Sequence, residues 1–317
     1  MPFIEAISSP AMRERLAVVC RENAATRILT RIIGTQELLI WAHCVGVGAD
    51  AELRTRVSAV APPELRRITA APDEEEFLYT GLLDLTYFFE LYDRFSYRRT
   101  DRFLEYLRIV GSFQPQAKLR VLDFACGCGR LSRYLAMHPE VDAYGLDVNP
   151  DLVAWCQAEL PGVRTLLNPV VPPMPVGSDF FDLVFALSLF SHLPERRAIE
   201  WLADIARVIV PGGLLIVTTH GIDALEIIRN SPEHHAMFNL SEVETDVLME
   251  RLPREGFIFR PYDANTLTVA KAGDEYGNAF IDPDYITRSW NTDLLEVVRH
   301  FPHGLRGWQD CVVLRRK

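Results

Sequence analysis

The chain has 317 residues, of which 49% are hydrophobic, and a formal net charge of −10 at pH 7. This length and composition are those of a globular protein with one large domain or two ordinary ones, and they exclude a disordered or fibrous chain. Nucleic-acid binding needs clustered Lys and Arg to displace counterions, and the sequence has no dense basic run. The charge therefore argues against a nucleic-acid substrate.

The cysteines and the apolar segments exclude further classes of protein. Six cysteines are scattered along the chain, which is not the pattern of a disulfide-rich secreted domain. Cys126 and Cys128 are too close together for the usual zinc spacing, so we predict no metal site. No apolar run is long enough to span a bilayer, and the first ten residues lack the features of a secretory signal. We therefore expect a soluble, cytoplasmic protein without a membrane partner.

The first hundred residues are predicted to be helical. Apolar residues recur at helical spacing over 11–33, 35–45, 50–60 and 63–69, and a longer run extends from about 76 to 110. Residues 1–100 show no strand alternation and no catalytic constellation, so we predict a helical N-terminal region. Its apolar faces can pack on the rest of the chain, cap the site or form the interface of a homodimer.

From residue 119 short apolar strands alternate with helical segments. Strands are predicted over Leu119–Phe124, Ala143–Leu146, Phe181–Ala186 and Leu214–Thr219, and helices over 129–137, 150–159 and 195–208. This alternation indicates right-handed βαβ units around a parallel sheet. Ligands of such sheets bind beyond the carboxyl ends of the strands, so motifs at those ends are candidates for the functional site.

The strongest local motif follows the first of these strands, where Asp123 is followed by a loop with Gly127 and Gly129. Glycines permit positive φ and close approach of a ligand, and the helix that follows offers free N–H groups. The dinucleotide fingerprint requires a third glycine, and Ser132 stands in that place. A carboxylate would repel a diphosphate but attract a cationic amino group, so Asp123 favours a cationic ligand over a nicotinamide dinucleotide.

A second acid, Asp147, ends the next predicted strand. It stands after Gly145 and Leu146, with the spacing and position of acids that accept hydrogen bonds from ribose hydroxyls. The alternative role for Asp147 is to cap the helix over 150–159, which suits Asn149 better. We therefore predict that Asp147 binds a ribose.

These motifs resemble those of the class I S-adenosylmethionine (SAM)-dependent methyltransferases, notably the bacterial group that acts on small molecules. The run Asp123-x-Ala125-Cys126-Gly127-x-Gly129 resembles the first motif of that family, and Gly145-Leu146-Asp147 resembles the second. Residues 178–184, 188–194 and 210–217 resemble the fourth strand, the loop after it and the fifth strand. The resemblance covers about residues 100–317, in family order.

The resemblance implies a Rossmann-like α/β domain over 101–317, with a mostly parallel seven-stranded sheet whose last strand is antiparallel. It also implies methyl transfer from SAM to a small-molecule acceptor, at oxygen or nitrogen in the simplest case. The residues that it assigns to SAM are Asp123, Ala125, Cys126, Gly127, Gly129, Asp147, Val148 and Asn149, together with Ser188 and Leu189 after the fourth strand. The third strand, over 164–171, is atypical and proline-rich, and Asn168, beside Leu167, is the candidate contact for adenine.

Residues 221–283 exceed what a minimal domain of this family needs, and we predict that they form an insert or lid over the substrate. A helix is expected over about 241–252, followed by a hairpin with strands Phe257–Arg260 and Leu267–Ala270. Near the C-terminus, Leu294–Phe301 and 307–314 fit the strand pair that closes such sheets, and Gln309-Asp310 starts the last strand.

Methyl transfer from a sulfonium is a direct displacement, so alignment supplies much of the rate, and only a protonated acceptor needs a base. His192, after the fourth strand, and His220, after the fifth, are the candidate bases. Further candidates are Tyr276 and the pair His234-His235. His192 can instead order its loop, and the pair can be a surface turn.

Three functions stay open at this point. The first is a small-molecule methyltransferase, the second a nicotinamide-dependent oxidoreductase on a similar sheet, and the third a methyltransferase-like binding protein without catalysis. Ser132 and Asp123 argue against the second function. The intact glycine loop and Asp147 argue against loss of cofactor binding.

Overall fold

The computed structural model describes residues 59–69, 73–96, 118–136, 141–263, 267 and 275–317. The chain divides into two compact units, Met1–Leu167 and Asn168–Lys317. The helices predicted over 11–33 and 35–45, most of the one over 50–60, and the domain boundary near residue 100 lie outside the described residues. They stay predictions.

The described part of the first unit holds two helices ahead of three parallel strands. Its described elements are α1 (Pro63–Ile68), α2 (Glu74–Phe95), β1 (Leu119–Phe124), α3 (Ser132–Leu135), β2 (Val141–Asp147), α4 (Pro150–Glu159) and β3 (Val163–Leu167). β2 pairs in parallel with both β1 and β3. The last four residues of β1 and the last five of β2 are buried, as in parallel sheets covered on both faces.

The second unit contains the remaining strands of the main sheet and one long helix beside them. These elements are β4 (Phe181–Ala186), α5 (Glu195–Val208), β5 (Ile209–Thr219), β8 (Leu295–Leu305) and β9 (Gln309–Arg316). All of β4 is buried, and so is β5 from Leu214 onward. α5 buries Trp201, Leu202 and Ile205 on one face, as expected of an amphipathic helix on a sheet.

The main sheet has seven strands in the order β3-β2-β1-β4-β5-β9-β8. β4 and β5 are parallel, whereas β9 is antiparallel to both β5 and β8. The predicted mostly parallel sheet with an antiparallel last strand is therefore confirmed. Thr219 at the end of β5 lies opposite Asp310, so the start of β9 adjoins the carboxyl end of β5.

Several predicted boundaries shift for local reasons. β3 ends at Leu167 rather than 171, because the prolines that follow cannot donate ladder hydrogen bonds. β5 begins at Ile209 rather than 214, because Ile209 already pairs with Phe181. α3 covers only Ser132–Leu135 of the helix predicted over 129–137.

The segment between β5 and β8 is a folded insert with a core of its own. Its described elements are α6 (Ile222–Arg229), α7 (Pro232–Phe238), α8 (Glu242–Glu255), β6 (Phe257–Pro261), β7 (Gly277–Ile281) and α9 (Pro283–Ser289). The helix predicted over 241–252 is present as α8, and Ser241 and Glu244 form a capping box at its start. The insert core contains Leu225, Ile228, Phe238, Leu240, Leu248, Leu252, Ile258 and Phe280. None of the described helices is long and apolar enough to cross a membrane.

The predicted hairpin had the wrong second strand. β6 pairs with β7, with Phe257 opposite Ile281 and Pro261 opposite Gly277, and not with Leu267–Ala270. Leu267 is helical, and 268–270 lie outside the described residues. The pairing requires a glycine, because a methyl group on Gly277 would lie 2.1 Å from the carbonyl oxygen of Arg260.

Candidate functional site

Three residues with positive φ shape the glycine loop after β1. Ala125, Gly127 and Gly129 have φ angles of 67°, 56° and 75°. The N–H groups of Ala125 and Cys126 both donate to the carbonyl oxygen of Leu146, at 2.8 and 3.0 Å. These bonds tie the loop to the end of β2. Ala125 holds this conformation without being a glycine, and such strain is common at functional sites.

Asp147 ends β2 with its carboxylate buried against the loop. Its Oδ2 accepts the N–H of Gly127 and its Oδ1 accepts the N–H of Asn149, both at 2.8 Å. Burial raises the pKa of Asp147 above its usual range. The N–H of Val148 also bonds to this carboxylate. A carboxylate has about four acceptor positions, so it can still accept a ligand hydroxyl. Asn149, separated from it by Val148, caps α4 as predicted, since its Oδ1 accepts the N–H of Asp151 at 3.0 Å.

Asp123, at the end of β1, is buried and bonded to Ser132. The Ser132 hydroxyl donates to Oδ2 of Asp123 at 2.6 Å. Ser132, which stands where the dinucleotide fingerprint has its third glycine, therefore bonds to Asp123. In that fingerprint the glycine leaves room for close packing of the helix. Burial raises the pKa of Asp123 to about 7, although Ser132 and Arg130 act in the opposite direction. A cation that binds beside Asp123 would therefore drive the loss of its proton.

This geometry predicts a pH dependence for a ligand with an ammonium group, as SAM has. Such a ligand binds the carboxylate form of Asp123, so its affinity should be full above pH 7. Below pH 7 the affinity should fall by up to about tenfold per pH unit, because protonation must be reversed first. Calorimetric titration with SAM between about pH 6 and pH 8 measures this, and an Asp123→Asn control should give a flat profile. A constant wild-type affinity over that range would contradict the prediction.

The two described N-terminal helices pack against the glycine loop within the first unit. Arg130, in the loop, donates to Thr80 and Asp84 of α2 at 2.9 and 2.8 Å, and the Asp84 side chain is fully buried. Thr69, after α1, has its hydroxyl 3.7 Å from Sγ of Cys128. The sequence leaves three roles open for the N-terminal region. The described part has the first of them, because it packs on the glycine loop.

Gly129→Ala is expected to destabilise the protein by about 2–5 kcal/mol. A non-glycine residue at positive φ costs about 1–2 kcal/mol, and overpacking adds about 1–3 kcal/mol, since the methyl group would lie 2.4 Å from Cδ1 of Leu160. Gly307 has a positive φ, but a methyl group there would have no neighbour within 4 Å. Gly177 has no positive φ, and a methyl group there would also have no neighbour within 4 Å. Urea unfolding of the three Gly→Ala variants should rank them in that order, and equal losses for Gly129 and Gly307 would exclude the packing contribution.

Asn168, the candidate adenine contact, lies just after β3 at the start of the second unit. It is 5% exposed, and its Oδ1 has no hydrogen-bond partner among the described residues. A buried amide oxygen without a donor costs free energy. A ligand with an exposed amino group would remove that cost.

A buried glutamine connects the ends of β4 and β5. Ser188, with φ of 53°, donates its N–H to Oγ1 of Thr218 at 2.8 Å and its hydroxyl to Oε1 of Gln309 at 3.0 Å. The Gln309 amide nitrogen contacts Nε2 of His220 at 3.1 Å and Oγ of Ser191 at 3.4 Å. Gln309 thus holds the loop after β4, where Ser188 and Leu189 were predicted to contact SAM.

His192 ends that loop with one ring nitrogen bonded. Its backbone N–H donates to the carbonyl of Leu189 at 2.9 Å. Its Nδ1 lies 2.8 Å from the carbonyl oxygen of Gly277 and 3.0 Å from the hydroxyl of Tyr262. Among the described residues, none makes a hydrogen bond with Nε2. Burial lowers the pKa of His192 to about 4, so the imidazole is neutral at pH 7.

His220, the second predicted base, is enclosed. It is 2% exposed, and its ring lies 5.5 to 5.8 Å from those of Phe238, Phe280 and Trp308. Burial, and then His192, lower the pKa of His220 to about 3. Its Nε2 faces the amide nitrogen of Gln309, which can only donate a hydrogen bond. The lone pair on Nε2 of His220 is therefore occupied by this bond.

The other candidate bases have different positions. The ring of Tyr276 lies 5.2 Å from that of His192, so it lines the same place. His234 Nδ1 contacts Oγ of Ser231 at 2.7 Å, and His235 Nε2 contacts the carbonyl of Arg229 at 3.0 Å. These bonds stabilise the start of α7, which favours the structural interpretation of the histidine pair.

The cysteines in and beside the loop are packing thiols. Cys126 and Cys128 of the loop and Cys156 of α4 are buried and not in disulfides. Cys126 and Cys156 both contact the carbonyl of Gly127 through sulfur. Burial raises the pKa of Cys128 to about 11. Within the described parts of the chain, no group of three or more His, Cys, Asp or Glu could hold a metal ion.

Two residues beside His192 were not found from the sequence. The Tyr262 hydroxyl contacts Nδ1 of His192, and Asn278 accepts the hydrogen of that hydroxyl. Both positions depend on the pairing of β6 with β7. Because the predicted hairpin used 267–270 instead, neither residue was placed near the site. Gln309 is the residue predicted to start the last strand, but its bonds to Ser188, Ser191 and His220 have no signature in the sequence.

Comparison with known proteins adds an independent line of evidence. Residues 121–213 match the family described as methyltransferase domain. A trans-aconitate 2-methyltransferase of Methylobacterium nodulans is 36% identical over 108 residues, which are 32% of this chain and 38% of that protein. A probable tocopherol O-methyltransferase of Oryza sativa is 31% identical over 106 residues, covering 31% of this chain and 28% of that protein. The chain thus spans less than two fifths of the length of these relatives.

Among solved structures, a TehB-like SAM-dependent methyltransferase from Corynebacterium glutamicum is similar at 17% identity. The similarity covers 69% of this chain and 97% of that one, with a TM-score of 0.37.

Proposed function

We propose that this chain, in which residues 121–213 match a methyltransferase domain, transfers the methyl group of SAM to an oxygen or nitrogen atom of a small molecule. The observation that carries the proposal is the buried Asp147 carboxylate, which is bonded to the N–H of Gly127 in the glycine loop. An acid at the end of the second strand, joined to a glycine loop after the first, suits a ribose beside an adjoining cationic group.

The described residues fit SAM in three separate respects. Asp147 has an acceptor position left for a ribose hydroxyl, and Asp123 offers a carboxyl group whose ionisation a cation would favour. Asn168 presents a buried Oδ1 without a donor, which suits the amino group of adenine. When bound, SAM would supply a methyl group on a sulfonium sulfur, from which a neutral thioether departs as a good leaving group.

His192 is the base in this proposal. Its neutral ring has Nε2 without a hydrogen bond among the described residues, so it can accept a proton. His220 is a weaker candidate, because it is buried and its Nε2 faces the Gln309 amide. An acceptor that loses a proton during methylation, such as a hydroxyl or an amine, would use this base.

The relatives favour a small acceptor, as they are named for trans-aconitate and tocopherol. The net charge of −10 favours the same class over nucleic acid. Of the alternatives, the nicotinamide oxidoreductase is disfavoured by Ser132, which donates to Asp123 where the dinucleotide fingerprint needs a glycine. A homodimer stays a prediction that sedimentation velocity would test.

Transfer of a labelled methyl group tests the proposal. We would incubate the protein with methyl-labelled SAM and a panel containing a phenol, an alkyl alcohol, an amine and a carboxylic acid, and identify products by mass spectrometry. Calorimetry with SAM, S-adenosylhomocysteine and NAD would accompany it. Labelled O- or N-methyl products are expected, with binding of the first two ligands and not of NAD. Binding without any product from a broad panel would favour a catalytically silent protein, and NAD binding would favour the oxidoreductase.

A further inference from the structure

The β6–β7 hairpin of the insert contacts the loop that carries His192. The carbonyl of His192 accepts the N–H of Gly277 at 3.0 Å, and the carbonyl of Ser191 accepts the N–H of Ala279 at 2.8 Å. Both contacts come from β7, far beyond residues 121–213 that match the methyltransferase domain. The insert therefore fixes the backbone of the histidine as well as its side chain.

The hydrogen bonds around His192 determine which ring nitrogen carries the proton. The Tyr262 hydroxyl donates its single hydrogen to Oδ1 of Asn278 at 2.9 Å. Its oxygen, 3.0 Å from Nδ1 of His192, can then only accept from that nitrogen. The carbonyl of Gly277, at 2.8 Å, is also only an acceptor. Nδ1 must therefore carry the hydrogen, and in the neutral ring the lone pair is on Nε2.

The aromatic and histidine rings that face His192 do not alter which of its nitrogens carries the proton, because they are uncharged at pH 7. His220 lies 5.8 Å away between ring centres, Tyr276 5.2 Å and Tyr262 6.0 Å. Burial lowers the pKa of His220 to about 3 and raises that of Tyr262 to about 12, so both are neutral at pH 7. Glu275, next to Tyr276, is paired with Arg196 and Arg197.

We propose that Tyr262 is a positioning residue, which acts with the Gly277 carbonyl and Asn278 to hold His192 as the Nδ1–H tautomer with Nε2 ready to accept a proton. This inference rests on the proposed function. Bound SAM would supply the methyl group, with its neutral thioether as the leaving group, and Nε2 of His192 would take the proton that the acceptor loses. The imidazolium so formed would carry the positive charge, with the oxygens of Tyr262 and Gly277 facing its Nδ1–H. Release of that proton to water restores the base.

Nuclear magnetic resonance of the full chain labelled with ¹⁵N-histidine tests the tautomer directly. Two-bond couplings between ring nitrogens and carbon-bound hydrogens distinguish Nδ1–H, Nε2–H and imidazolium forms, and loss of signals in His192→Gln assigns them. Wild-type His192 is expected to be the Nδ1–H tautomer at pH 7. This readout needs neither SAM nor an acceptor, so it is independent of the methylation assay.

Tyr262→Phe is the decisive variant, because it keeps the ring and removes the hydroxyl. We expect the share of the Nε2–H tautomer to rise, because the Gly277 carbonyl alone then holds the Nδ1 hydrogen. We also expect kcat to fall by about 3–10-fold, the effect of one hydrogen bond, with an unchanged KM for SAM. Asn278→Ala, which frees the Tyr262 proton to turn toward His192, should shift the tautomer the same way. Tyr285→Phe is the matched control, since it removes a hydroxyl that donates to Glu195 at the surface, and it should change neither quantity.

Either of two results would overturn the inference. One is a wild-type His192 in the Nε2–H form, and the other is an unchanged tautomer in both Tyr262→Phe and Asn278→Ala when circular dichroism shows them folded. If the tautomer behaves as expected but no acceptor in the panel is methylated, the proposed function fails and the positioning of His192 stands. If methylation occurs with the other tautomer, the proposed function stands and the role of Tyr262 fails.

Discussion

His192→Gln is expected to lower kcat for a hydroxyl or amine acceptor by about 10²–10⁴-fold, the usual contribution of a positioned general base. Glutamine has a similar reach but cannot accept a proton at neutral pH, so proton removal would fall to water. SAM affinity should be unchanged, because the residues proposed to bind SAM are others. The measurement is initial rate against acceptor concentration, with the labelled-methyl assay.

Two comparisons make the His192 result specific. His303→Gln removes a half-exposed histidine that pairs with Asp223, and it should leave kcat unchanged. Since burial holds the pKa of His192 at about 4, the base is neutral above that pH, and wild-type kcat should fall only as the pH drops toward 4. Loss of less than about threefold in His192→Gln would mean that the histidine only orders its loop.

Asp147→Ala is expected to weaken SAM binding by at least about 100-fold, because hydrogen bonds to a charged group contribute about 1.5–3 kcal/mol each. The variant would lose the proposed ribose bonds and would also leave the N–H groups of Gly127 and Asn149 without their acceptor. Both effects act on the same site, so affinity for S-adenosylhomocysteine should fall in parallel. Calorimetry gives both affinities.

Asp142→Ala provides the matched control for Asp147. Asp142 belongs to the same strand but lies at its start, where it is half-exposed and 4.0 Å from Lys118. Its replacement should leave SAM affinity within about twofold, as expected of an exposed ion pair. Equal affinities for SAM in the Asp147→Ala variant and the wild type would contradict the assignment of the ribose site.

The sequence was sufficient wherever local pattern and strand order decide the structure. β1, β4, α4 and α5 have the predicted bounds, because apolar runs and caps such as Asn149 are properties of neighbouring residues. The same holds for the glycine loop and Asp147, which lie at the ends of consecutive strands. The structure then adds the bond between Gly127 and Asp147, which the predicted ribose role did not require.

Contacts between distant segments could not be predicted in the same way. β6 could pair with any apolar strand of suitable length, and the close approach that requires Gly277 exists only once β6 and β7 have paired. Tyr262 and Asn278 therefore had no signature in the sequence. His192 and His220 were equivalent candidates until their burial and partners were known, since a histidine's role depends on what surrounds it.

The bonds between His192 and Gly277 join positions that are 85 residues apart in sequence. Proteins open locally in cooperative units, and groups bonded to one another lose protection from hydrogen exchange together. Detachment of β7 would therefore release the Gly277 and Ala279 amides and the ring of His192 in a single event. The stability of the insert, with its own apolar core, would then set the fraction of molecules whose base is in place at any moment. Substitutions in that core, such as at Leu252, could thus change turnover without touching any ligand.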